Sequence, residues 1–227
     1  MEHVNIGTAQ SATSADTQKV LRNTYMLLGM TLAFSALTAG ISMSMNLGGG
    51  AAMIMSIAAL AIVWFVLPRT ANTAMGLPVV FLFTGLLGAA LGPMLNRYLA
   101  VPGGSEMVMQ ALGGTAIIFF SLSAYVLTSK KDFSFMQGFL FVGIMVVIVG
   151  MIGGMVASYF FGVDVSLFRL ALSGAIVLLM SGFILFDTSR IINGGETNYI
   201  MATVSLYLNI YNLFTALLHI IGATSDD

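Results

Sequence analysis

The sequence predicts an all-α polytopic membrane protein with seven transmembrane helices. Three observations carry this. Of the 227 residues, 58% are hydrophobic and only 7% are charged, against about 25% charged in ordinary soluble domains. With a mean hydropathy of +0.98, a soluble fold could not cover its surface. The few charges also separate long uncharged stretches, at 23–68, 70–96, 107–129, 133–163, 170–186 and 197–225. A helix needs roughly 20 residues to cross a hydrocarbon core of about 30 Å. Finally, these stretches lack the two-residue alternation of barrel strands.

Residues 1–22, MEHVNIGTAQSATSADTQKVLR, are polar and lack the apolar core of a signal peptide. They are expected to form a flexible cytoplasmic tail that is not cleaved. The first apolar run is 46 residues long, 23–68, too long for one span. Gly48, Gly49 and Gly50, following Asn46, favour a turn and divide it into spans at 24–44 and 51–68. The remaining spans are expected at 77–96, 107–128, 135–160, 167–190 and 199–221. Pro93 is expected to kink or end the third. The loops are short, so 23–222 forms one helical domain, followed by a short outer tail at 223–227.

Seven spans put the termini on opposite sides. With the N-terminus inside, the cytoplasmic segments hold Lys19, Arg22, Arg69, Lys130, Lys131 and Arg190, and the outer loops hold Arg97 and Arg169. That asymmetry places the N-terminus in the cytoplasm and the C-terminus in the periplasm. The net charge of −1 leaves no basic footprint for nucleic acid. With no cysteine, thiolate metal sites and cysteine nucleophiles are excluded.

Several side chains invite a structural and a functional reading. Gly85, Gly88, Ala89 and Gly92 fall on one face of the third span, and Gly150 and Gly154 repeat the pattern in the fifth. Small residues let membrane helices approach closely; the alternative is a pore lining or a hinge. The 17 methionines are scattered, which suits core filling better than a thioether site for Cu(I). Trp64, Tyr98 and Tyr159 suit an interfacial belt. In the last span Ser205, Asn209, Asn212, Ala216 and His219 make one polar and small stripe. In lipid such a stripe must face protein or water, either as interhelical glue or as a polar pathway. Asp187 follows Ile-Leu-Phe directly. An ionisable group inside a span is a functional candidate, but Arg190 stands three residues on and could make this a boundary ion pair.

Three blocks, FTGLLGAALGPML, SAYVLTSKKDFSFM and FDTSRIINGGETNYIMATVSLYLNIYNLF, resemble the Bax-inhibitor family in order and spacing, and the resemblance runs from about residue 20 to the end. TSRIINGGETNYI and the polar N-terminal tail resemble its bacterial YccA branch. The resemblance implies a seven-helix fold with the last helix central, in a bacterial inner membrane. It implies a regulatory partner, and slow substrate, of the membrane-anchored ATP-dependent protease FtsH, engaged through the cytoplasmic tail. It also implies an alternative, a proton-sensitive calcium or cation leak. In such members two aspartates, on helices six and seven, share a hydrogen-bonded site. Asp187 matches the first, and Asn209 stands where the second would be. Two close carboxylates cannot both ionise cheaply, so such a pair senses protons; Asp with Asn has no like-charge coupling. Beyond transported Ca2+, no cofactor or resident metal is expected. An enzyme is not expected either: HExxH and GxSxG are absent, and His3 and His219 cannot build a zinc site alone.

Overall fold

The computed structural model describes residues 6–225. Seven helices in it are long and apolar enough to cross a membrane, and no strand occurs among the described residues. We label them α1 (Ile6–Ser44), α2 (Gly49–Thr70), α3 (Gly76–Leu99), α4 (Gly104–Ser129), α5 (Ser134–Phe161), α6 (Ser166–Ile192) and α7 (Tyr199–Ser225). Each lies where an uncharged run places it, because length and hydropathy decide a span.

The ends differ in instructive ways. α1 begins at Ile6, so the polar segment expected as a tail continues the helix of the first span; its Ala, Gln and Lys residues are good helix formers. Residues 1–5, including His3, lie outside the described residues. α7 likewise continues to Ser225. The break after α1 is made by Asn46 rather than by the glycine triplet. Asn46 takes a left-handed φ of 49°, Leu47 N–H donates to Ser42 O and Asn46 N–H to Met43 O. This pair of bonds closes the last turn in the manner usually served by glycine. Gly49 and Gly50 already belong to α2.

α2 is not uniform. Ile62–Val66 forms a π-helical turn that ends two residues before Pro68, whose ring lacks an N–H and would clash with the carbonyl four residues earlier. The wider turn relieves that conflict within the span. α3 instead continues through Pro93 to Leu99, so the proline does not end it.

The described residues pack as two compact units. One takes the chain up to Met94 together with Ser189–Tyr207; the other takes Leu95–Thr188 and the chain from Leu208 onward. α7 thus supplies side chains to the core of both.

In the first unit, α1 and α3 meet along a seam of small residues. Thr31, Ser35 and Ser42 are buried on α1. Across from them, a Cβ on Gly85 would meet the Phe34 ring at 2.7 Å, one on Gly88 would overlap Ser35 and Thr38, and one on Gly92 would overlap Ser42. Thr31 donates to Leu28 O (2.9 Å) and Thr38 to Ser35 O (3.0 Å), whereas the buried Ser42 hydroxyl has no hydrogen-bond partner among the described residues. α7 closes the unit through Tyr207, which is 1% exposed. Its hydroxyl donates to Thr84 O at 3.2 Å and lies 2.6 Å from Ser35 Oγ. The phenol has one proton, so Ser35 donates to Tyr207 and Tyr207 to Thr84. The Tyr207 ring also stands edge-on to Phe83, 5.7 Å between centroids. A turn earlier, Thr203 Oγ1 reaches Thr24 O at 3.3 Å and Tyr199 O at 2.7 Å.

In the second unit, glycines of α5 and α6 face side chains rather than backbone. A Cβ on Gly150 would meet Leu172 at 3.3 Å, and one on Gly154 would meet the Phe168 ring at 3.1 Å. Gly182 of α6 faces Leu140. α5 is a peripheral helix, with 11% of its most apolar window buried, against 39% for α6.

Candidate functional site

The site is built on the last turns of α6. Ile184 is fully buried, and Phe186, Asp187, Thr188 and Ser189 follow as four consecutive buried residues. Four residues exceed one helical turn, so this turn is enclosed on every side. Asp187 is 8% exposed and Asn209 of α7 is 6% exposed. Asn209 Nδ2 donates to Asp187 Oδ2 at 2.7 Å. The carboxylate therefore sits in an enclosed turn with an amide on the facing helix.

Arg190 serves the turn that follows. α6 ends with Gly194 at a left-handed φ of 74°. Gly195 N–H donates to Arg190 O at 2.8 Å and Gly194 N–H to Ile191 O at 3.3 Å, the paired bonds of a Schellman cap. This bend brings Glu196 back to Arg190, and the two form an ion pair at 3.4 Å. The i+3 spacing from Asp187 leaves that acid out of account, because Glu196 comes close only through the cap.

The loop is fixed at its other end by Asn198, which sequence reading missed. Its Oδ1 accepts from Ile200 N–H (2.9 Å) and Met201 N–H (3.1 Å), capping α7. Its Nδ2 donates to Ala71 O (3.1 Å) and Asn72 Oδ1 (2.7 Å), tying the start of α7 to the turn after α2. An Asn directly before an apolar run is a capping signal, and that was the available clue.

The expected stripe on α7 is one face in sequence but several arrangements in space. Asn209 holds Asp187. Asn212 Nδ2 turns back to Leu208 O of its own helix at 2.8 Å. Ser205 is half-buried and Ala216 buried. His219 Nδ1 lies 3.0 Å from Ser173 Oγ on α6. Among the described residues, no three His, Cys, Asp or Glu side chains gather as a metal site.

The family model described as inhibitor of apoptosis-promoting Bax1 matches residues 17–226. The chain is 49% identical to the modulator of FtsH protease YccA of Escherichia coli K12, over 93% of each protein. It is 51% identical to a membrane protein of Vibrio cholerae, over 93% of this chain and 92% of the relative. The same 49% identity holds to the inner membrane protein YccA of Escherichia coli O6:H1. Relatives in the inner membrane and seven spanning helices together make this a multi-pass inner-membrane protein. The chain belongs to the Bax-inhibitor family, on the branch that includes the YccA proteins.

Proposed function

We propose that this chain modulates the membrane protease FtsH, binding it and being degraded slowly by it. The observation that carries the reading is the 49% identity, over 93% of both chains, to a protein named as a modulator of that protease. In this reading the N-terminus lies in the cytoplasm, on the side of the ATPase, and the C-terminus in the periplasm. The polar segment at the start of α1 is the handle. Pulling on it loads the α1 seam first: the close approach of Ser35 and Ser42 to Gly88 and Gly92, then the Ser35–Tyr207–Thr84 chain of hydrogen bonds. A substrate that yields slowly occupies the protease and excludes others. Deleting residues 1–20 is expected to lengthen the half-life in cells containing FtsH and to abolish co-purification. Unchanged turnover, with no co-purification of the full chain, would sink the reading.

A second reading rests on the enclosed Asp187–Asn209 pair. It is a cation leak gated at this turn, with calcium as the transported ion. One carboxylate and one amide offer few of the six to eight oxygens that calcium prefers, so the pair would regulate passage rather than store the ion. Liposomes are expected to admit calcium at a rate altered by Asp187→Asn, and Asn209→Asp is expected to steepen the pH dependence by adding like-charge coupling. No flux through the wild type, or flux indifferent to both substitutions, refutes it.

A further inference from the structure

At the end of α6 opposite Asp187, a cleft of about 270 Å³ opens between α5 and α6. Its floor is the glycine face of α5, Gly150 and Gly154, and its wall is Phe168, Leu172 and Ile176 of α6. From Arg169 to Ile176 the helix rises by about 10 Å, so the cleft runs from the start of the span well into it. The outer surface of α5 around it is almost wholly apolar and exposed, Met151 and Met155 included. An acyl chain is the material such a surface meets in a bilayer.

The mouth is polar and cationic. Arg169 is exposed and in the first turns of α6, the end of a helix that favours anions over cations. No ion pair or side-chain hydrogen bond engages its guanidinium among the described residues. Asp164 lies close enough to interact with it through charge, but its hydrogen bonds go to Ser166: Oδ1 accepts from Ser166 N–H at 2.9 Å and Oδ2 from Ser166 Oγ at 3.2 Å. Ser173 donates its single proton to Arg169 O at 3.0 Å, so His219 Nδ1–H donates to Ser173 Oγ. His219 itself lines the cleft wall. An apolar trough ending at an exposed guanidinium matches an amphiphile with a phosphate head.

We propose that this cleft binds a phospholipid, its phosphodiester on Arg169 and one acyl chain laid along Gly150 and Gly154 against Phe168, Leu172 and Ile176. The site is independent of the Asp187 turn and of the protease reading.

The test is native mass spectrometry of the full chain in detergent, titrated with palmitoyl-oleoyl phosphatidylglycerol and, separately, with the diacylglycerol of the same chains. The phospholipid is expected to bind and the diacylglycerol to remain at background, a comparison that needs no substitution. Arg169→Gln is expected to weaken phospholipid binding about tenfold, the scale of one hydrogen bond to a charged group, while Arg169→Lys retains most of it. Ile176→Phe, which fills the inner end, is expected to weaken it with Arg169 intact. Equal binding of the two lipids by the wild type overturns the proposal. So does full retention in Arg169→Gln, and so does displacement of the phospholipid by millimolar inorganic phosphate, which would show a headgroup site without a chain site.

Discussion

The α1–α3 seam and the α5–α6 cleft use the same sequence device to opposite ends. Each puts glycines three or four residues apart on one helix face, so that a neighbour can come close. In the seam the neighbour is backbone and short hydroxyl side chains: Ser35, Thr38 and Ser42 leave no volume for a Cβ on Gly88 or Gly92. In the cleft the neighbour is the far end of Phe168 and Leu172, at 3.1–3.4 Å from a Cβ on Gly154 or Gly150, and a ring can move by a few tenths of an ångström. The seam also carries buried hydrogen bonds through Tyr207, whereas the cleft wall next to the glycines is Phe168, Leu172 and Ile176. Identical spacing therefore marks a rigid contact in one place and a yielding one in the other. What decides between them is whether the opposing atoms belong to a backbone.

The contrast can be broken by substitution. Gly88→Ala should cost about 3 kcal/mol or more, since overpacking against backbone cannot relax by a rotamer change; unfolding in mixed micelles measures it, and a loss below that of Tyr207→Phe would contradict the rigid seam. Tyr207→Phe removes the hydroxyl that joins Ser35 to Thr84 and should cost about 1 kcal/mol, in the range of buried polar contacts in membrane proteins. The pair Ser35→Ala with Tyr207→Phe should cost little more than Tyr207→Phe alone, because both remove the same bond.

Asp164→Asn should have a smaller effect, confined to a pH window. Hydrogen bonds from the backbone and side chain of Ser166 hold the Asp164 carboxyl below its usual 3.8. A depressed folded pKa stabilises the fold above the unfolded value and loses that contribution as pH falls through the folded one. The gap between wild type and Asp164→Asn should thus close as pH falls below the usual carboxylate range; a gap independent of pH would contradict it. Gly154→Ala should change stability by less than about 0.5 kcal/mol, the gain in helix propensity offsetting a small shift of Phe168. A loss equal to that of Gly88→Ala would erase the distinction between the two regions.

Much of this was legible in the sequence. All seven spans follow from uncharged length and hydropathy, and the family from three blocks of residues. The glycine faces were legible too, but their partners were not, because a helix face does not say which helix it meets. A clue lay in α1, where Thr24, Thr31, Ser35, Thr38 and Ser42 are spaced by 7, 4, 3 and 4 residues, a stripe of hydroxyls at helical period. Tyr207 escaped notice because a tyrosine in an apolar run is ordinary until its hydroxyl is seen to be enclosed. The Arg190–Glu196 pair was hidden by the cap that folds the chain back. The π-helical turn of α2 was signalled by Pro68 alone, which marks a conflict without saying how the backbone resolves it.

The contact between Asp187 and Asn209 has one more consequence. A carboxamide is two-faced: one side donates and the other accepts. Against an ionised Asp187 it presents its NH2 group. Against a protonated Asp187, a half-turn about the last side-chain bond presents its oxygen instead. One hydrogen bond between α6 and α7 is thus available to either form of the acid. A partner acid at the same position would alternate between sharing a proton and repelling its neighbour. An amide at this position removes that alternation.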